Sequence, residues 1–327
     1  MSNPTPRDVI RPWFEALEEL DEFIGIRFGH QPPDALKPDW QFISHNEVDG
    51  IGGFARILRQ RGTTLEQLPT LTHPQAFGPT ALLNAIPGVF RSRQPLTWKG
   101  GVEGSPSSRT QAPVAVAWYA FSAEETRKIR EASRSLSVTV NSLLLRHLDS
   151  TIRSGLADSR QSLFWMIPVN LRGAVTRAND EENHSSYITA RIEATDDTPR
   201  IHREVHRKLA MGQHMLTWKT YSVGRVLSPA FKKKIIRMNR AMAEPCIGAF
   251  SNLGQWDGDE KMTGNELAGN WFFSPPVLKF QTVSAGCMTF QNRLTLTLQV
   301  HPEISSDPEF TDRRIDQWVS TIKLDFA

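Results

Sequence analysis

A chain of 327 residues with 39% hydrophobic side chains can bury a large core and lies far from the disordered class. Its 38 basic and 35 acidic residues leave a net charge of +3, which gives no general case for nucleic acid or a membrane as a partner. Two cysteines, Cys246 and Cys287, are too few for a disulfide framework and fit a reduced, cytoplasmic setting. No apolar run approaches the roughly 18 residues of a membrane span.

In chain order, the spacing of Phe14, Leu17, Leu20 and Ile24 predicts a helix over 12–23. A strand over 40–44, apolar as if entering a core, leads into a polar loop with His45 and Asp49, then a short helix ending near Gly62. Proline and glycine punctuate 69–88, and the polar stretch 99–113 reads as a linker. Beyond it, 114–121 reads as a buried strand. Ser122 and Glu125 form a capping box for a helix over 122–136, and a second helix follows a turn at Val138–Thr139. Strands are expected over 163–171 and 185–194, basic helices over 199–219 and 228–242, and a strand ending in a turn over 250–254. At least two more strands lie in 277–301, the last strictly alternating, and a helix over 312–324 closes the chain. The irregular alternation places the chain in the mixed α/β class with two layered subdomains.

The segment SHNEVDG (44–50) resembles the HxxxDG signature of the coenzyme A-dependent acyltransferase superfamily. That superfamily includes chloramphenicol acetyltransferase, peptide-synthetase condensation domains, wax ester synthases and polyketide-associated acyltransferases. Four later segments are similar to it in the same order: the helix pair around SVTVN, then MIPVNLRG, NHSSYITARI and FSNLGQWDG. The resemblance covers roughly residues 40–325. It departs in two places. Ser44 stands where many relatives have a first histidine, and only 44 residues precede His45, fewer than in two-subdomain members. The implied organisation is a shortened N-terminal subdomain over 1–110 carrying the motif, and a chloramphenicol-acetyltransferase-like subdomain over 111–327.

The resemblance implies acyl transfer from a thioester to a hydroxyl, amine or thiol, in secondary or lipid metabolism. His45 is then the general base, a task suited to an imidazole with a reference pKa near 6.5. Asp49 is implied to be structural, paired with a distant arginine for which Arg172 is the matching candidate, and Gly50 keeps the loop free of a side chain. Ser251 and Asn252 are implied to line the site, with a hydroxyl, amide or backbone N–H to steady an oxyanion. No metal or redox cofactor is implied; coenzyme A or an acyl carrier protein brings the thioester as substrate, and the other partner is a small-molecule acceptor. The rival reading is a catalytically silent binding or recruitment module.

Other signals stay ordinary. His202 and His206 lie one helical turn apart but lack the HExxH pattern, so a solvated helix face is expected. The basic run 231–240 suits coenzyme A phosphates, an acidic carrier, or simply solvent. His301 sits where a second HxxxDG would lie, but no Asp-Gly follows. With so short a first half, the strand over 40–44 must be covered either by the chain's own second half or by another copy. The aromatic side chains Trp13, Phe14, Trp40 and Phe42 favour a homo-oligomer with its site near a subunit boundary.

Overall fold

The computed structural model describes residues 9–65, 67–71, 97–99, 115–156, 158–175, 177, 179–242, 246–256, 267–279, 281–305 and 307–326. Helix α1 (Arg11–Glu18) leads to strands β1 (Gly25–Gln31) and β2 (Asp39–Ser44) and helix α2 (Gly50–Gln60). After β3 (Ala117–Ala120) come α3 (Ala123–Ser135), α4 (Val140–Ser154), β4 (Leu163–Asn170) and β5 (Ser185–Ile192). Helices α5 (Thr198–Ala210), α6 (Gln213–Val223) and α7 (Pro229–Met242) follow. Strands β6 (Cys246–Trp256), β7 (Asn270–Ser274), β8 (Val283–Phe290) and β9 (Arg293–Val300) precede the last helix, α8 (Pro308–Lys323).

Among the described residues, nine strands make two sheets. The larger has the order β3-β9-β8-β6-β4-β5, and the smaller β2-β1-β7. Pairs β4/β6 and β6/β8 are parallel, and the remaining pairs are antiparallel. One face of the large sheet is covered by helices, with Trp165, Phe250, Leu296 and Leu298 packed on Leu144, Leu148 and Trp318. A second core joins α2 to the small sheet through Phe28, Phe54, Trp271 and Phe290.

The other face of the large sheet is polar and still buried. The alternation of β9 puts Thr295, Thr297 and Gln299 on one side, a pattern that usually faces water. Here β7 crosses over it, and the side chains donate to its backbone. Thr295 Oγ1 reaches Trp271 O and Thr297 Oγ1 reaches Phe273 O, each at 2.6 Å. Gln299 Nε2 donates to Pro275 O at 2.8 Å and Ser284 Oγ to the same carbonyl at 3.0 Å. Strand β7 thus completes the small sheet through β1 while its free backbone groups are satisfied from the large one. Neither β1 nor β7 was expected from the sequence.

Several elements differ from expectation. Among the described residues strand β2 is an edge strand paired only with β1, and Phe42 is 49% exposed beneath the Arg27 guanidinium, 5.2 Å from its ring centre. Strand β3 is likewise at an edge, with three of its residues half-buried. The helix expected over 199–219 is two helices, because Gly212 takes a left-handed conformation (φ +69°) between them. The linker at 99–113 lies outside the described residues apart from Lys99, as does the boundary between the two expected subdomains. Trp13 and Phe14 pack within the chain: the Trp13 indole donates to Tyr221 O at 3.2 Å, and Phe14 stacks on His45.

Gly286 marks how closely the sheets approach. A Cβ there would lie 2.1 Å from Phe273 O and 2.7 Å from Thr297 Oγ1. Gly286→Ala is expected to lower stability by about 1–3 kcal/mol in a urea titration, the usual cost of forcing atoms into a filled interface. An unchanged midpoint would show that the sheets can part without cost.

Candidate active site

The site starts at the end of β2. His45 N still bonds to Ile24 O at 3.2 Å, and the chain then turns, so His45 leaves the sheet at its edge. Four residues later Asp49 is the N-cap of α2 and accepts from Gly52 N at 2.8 Å. A Cβ on Gly50 would meet Leu253 at 2.5 Å and Phe273 at 2.9 Å, and one on Gly52 would meet Glu181 O at 1.9 Å. The head of α2 is therefore pressed between β6, β7 and residue 181: Gly52 faces backbone that leaves no room for a side chain, while Gly50 faces the side chains of Leu253 and Phe273, which would have to shift. The sequence reading singled out only the first.

Asp49 is buried and receives four hydrogen bonds. Arg172 Nη1 and Nη2 donate to its two oxygens at 2.8 and 2.9 Å, and His184 N adds a bond at 2.8 Å to that of Gly52 N. The guanidinium is equally occupied. Its remaining N–H groups donate to Asp180 O (2.9 Å), Asn170 Oδ1 (3.1 Å) and Glu182 O (3.1 Å). Five donors meet five acceptors, with Arg172 4% and Asp49 3% exposed. The aspartate does not reach for the histidine; the pair instead ties the loop after β2 to the segment after β4.

Segment 182–184 clamps the same loop from its other side. Val48 and Glu182 form an antiparallel bridge. The Asn183 amide donates to His45 O at 3.2 Å and lies 3.0 Å from His45 Nδ1. Asn183 Oδ1 accepts from Ser185 N (3.0 Å) and Ser185 Oγ (2.6 Å), which fixes the amide with its nitrogen toward His45. Outside this clamp, Arg56 and Arg59 reach across to Asp180 and Glu181 in more exposed ion pairs.

These contacts decide the tautomer of His45. Its Nδ1 lies 2.9 Å from Val48 O, and a carbonyl can only accept, so Nδ1 carries the proton. Asn183 does not compete, since His45 O is within its reach. Nε2 is left as a bare lone pair with no hydrogen bond among the described residues. Phe14 stacks on the ring at 4.5 Å and 25°. Burial pushes the imidazole below its ordinary pKa of 6.5. His45 is therefore neutral at physiological pH with one basic nitrogen available. Phe14, Val48, Asn183 and His184 were not assigned to the site from sequence. The usable signal was local: Asn183 and His184 open the segment already matched as NHSSYITARI.

Ser251 and Asn252 point to opposite faces of the large sheet, as neighbours in a strand must. Ser251 pairs with Gly286 on the face crossed by β7, in line with Leu253, whose side chain presses on Gly50. Its hydroxyl makes no hydrogen bond among the described residues. Asn252 lies on the helix side. Its amide donates to Asn141 Oδ1 at the head of α4, and its own oxygen accepts from Gly254 N at 2.7 Å. It lines a cavity of about 140 Å³ with Thr126, Arg130, Val140 and Gln255. His202 Nδ1 and Ser142 Oγ are hydrogen-bonded at 3.1 Å, joining α5 to the start of α4. Among the described residues no group of three or more metal-binding side chains converges. Burial raises the Cys246 thiol to about 11, so it is not a thiolate at neutral pH.

The architecture has counterparts among solved structures. Trichothecene 15-O-acetyltransferase from Fusarium sporotrichioides aligns over 99% of this chain and 76% of its own, at 13% identity and TM-score 0.55. A nonribosomal peptide synthetase cyclization-docking bidomain from Sorangium cellulosum aligns over 89% and 61%, at 12% identity and TM-score 0.57. The epimerization domain from the third module of tyrocidine synthetase B aligns over 88% and 69%, at 13% and 0.50. The fold is chloramphenicol-acetyltransferase-like, of the condensation-domain type. No family model matches the sequence, and no curated protein matches it. The chain spans 61–76% of the length of those three structures.

The buried pair makes a quantitative contrast with its exposed neighbours. Asp49→Ala removes the N-cap and leaves the Arg172 charge buried without a partner, and is expected to cost about 3–5 kcal/mol. Arg56→Ala, which breaks ion pairs at a side chain 31% exposed, should cost less than about 1 kcal/mol. Denaturant unfolding of the two variants measures both, and equal losses would contradict the assignment of Asp49 as the anchor of the loop.

Proposed function

We propose that this chain is an acyltransferase that moves an acyl group from a thioester to a hydroxyl, amine or thiol, with His45 as general base. The observation that carries the reading is the His45 ring, neutral, held through Nδ1 and open at Nε2. In the reaction Nε2 takes the proton of the acceptor as its heteroatom bonds to the thioester carbon. The tetrahedral oxyanion collapses, the C–S bond breaks, and the imidazolium returns the proton to the leaving thiolate. Asp49 and Arg172 take no part in proton transfer; they hold the loop that aims His45. Ser251, on the His45 side of the sheet with an uncommitted hydroxyl, is the group we assign to the oxyanion, and Asn252 to lining the helix-side cavity. One neighbour of the same fold is a trichothecene 15-O-acetyltransferase, and others belong to peptide synthetases, which supports both acyl transfer and a thioester on coenzyme A or a carrier protein. The resemblance read from the sequence favours secondary or lipid metabolism.

His45→Ala is expected to keep the melting temperature within a few degrees and to lower kcat/KM by about 10²–10⁴-fold. Thiol release from acyl-coenzyme A and from an acylated carrier protein, each with an alcohol or amine acceptor, measures it. Full activity in the variant sinks the proposal. The pH profile gives a separate check. Burial disfavours the imidazolium, so the base stays deprotonated to lower pH than a free imidazole. The acid limb of kcat/KM should therefore inflect below 6.5. An inflection above 6.5 would require a site that stabilises the imidazolium, contrary to this environment.

A further inference from the structure

The net charge of +3 conceals a sharp asymmetry. Residues 205–243 contain nine lysines and arginines and no aspartate or glutamate, so the other 288 residues carry a net −6. Helix α7 lies at the end of this stretch. Its run of three lysines has three separate fates. Lys232 is buried, with Nζ donating to Leu227 O at 2.8 Å. Lys233 turns toward α1 and pairs with Glu19 at 2.7 Å. Lys234 is exposed, as is Arg237 one turn on, and neither has an ionic partner among the described residues.

Apolar side chains stand between these cations. Phe231 and Met238 are each 48% exposed and Val226, in the turn before the helix, is 85% exposed. Phe231, Lys234 and Met238 fall three and four residues apart, so they form one outward stripe. The inner face of the helix is occupied by α1. The stripe is a convex helical surface, not a groove.

We infer that α7 is a docking face for an anionic phospholipid surface. Lys234 and Arg237 supply the charge complement to lipid phosphates, and Phe231, Met238 and Val226 are placed to sink below the headgroups while the cations remain level with them. An acidic protein partner would use the same two cations, but would need a separate apolar pocket for each of the three projecting side chains. A bilayer interface accepts all three without shape matching, which is why the lipid surface is the occupant assigned. This inference is independent of the acyl-transfer reading.

The test is co-sedimentation of the full-length protein with vesicles of phosphatidylcholine alone and of phosphatidylcholine with phosphatidylglycerol, at low and at physiological salt. Binding should require phosphatidylglycerol and weaken with salt. The double variant Lys234→Ala, Arg237→Ala should lower the partition coefficient about twentyfold, since each cation near an anionic surface is worth about fivefold. Phe231→Ser with Met238→Ser should also weaken binding, at unchanged charge. Circular dichroism melts confirm that the variants are folded. Absence of binding to phosphatidylglycerol vesicles overturns the inference, as does binding that neither variant pair alters. Capture by an acidic carrier protein that the same substitutions abolish, with vesicles ignored, replaces the lipid with a protein partner.

Discussion

Four hydrogen bonds to one buried carboxylate hold the working part of this molecule together. Asp49 would be costly to bury alone, since an ionised carboxylate loses its hydration in the interior. Arg172, Gly52 N and His184 N replace that hydration bond for bond. Each donor lies on a different piece of chain: the loop after β4, the first turn of α2, and the segment entering β5. One side chain therefore fixes three segments relative to one another, and His45 rides on the loop they define. The role of the aspartate in the loop is positional, and the geometry explains why a His-Asp dyad is not built: both carboxylate oxygens are already occupied.

The same logic of internal satisfaction runs through the sheets. The face of β9 that reads as solvated from its threonines is closed by β7, whose carbonyls accept from those threonines. That crossing brings Phe273 against Gly50 and lets Leu253 of β6 reach the head of α2. Burying a polar sheet face thus places Ser251 on the same side of the large sheet as the His45 loop. The N-terminal helix joins the same arrangement, since α1 lays Phe14 on the imidazole while its neighbour Trp13 is anchored to α6.

The second half of the fold was legible in the sequence because its signals are local. The capping box at Ser122, the Thr139 cap and the alternating runs each specify an element within a few residues. The Asp49–Arg172 pairing was reached through resemblance, since nothing local links residues 123 apart. Strands β1 and β7 were missed because their patterns are set by partners far along the chain. GIRFGHQ has glycines and polar residues where a strand usually has neither, and NWFFS is too short to show a period. The hydroxyls of Thr295 and Thr297 satisfy backbone carbonyls that no sequence pattern announces. The tautomer of His45 was out of reach for the same reason, as it depends on a single carbonyl, Val48 O, and on the orientation of the Asn183 amide.

The tautomer is also where the account is most directly open to measurement. Ring-¹⁵N spectra of the histidine-labelled protein at neutral pH, with the His45 signals identified by their loss in His45→Gln, report which nitrogen bears the proton. Nδ1 is expected to be protonated and Nε2 unprotonated. In Arg172→Met, where the loop loses its anchor, the two nitrogens should move toward the averaged shifts of a free imidazole. A proton on Nε2 in the unaltered protein would contradict it, because the nitrogen assigned as the base would then have no lone pair to offer.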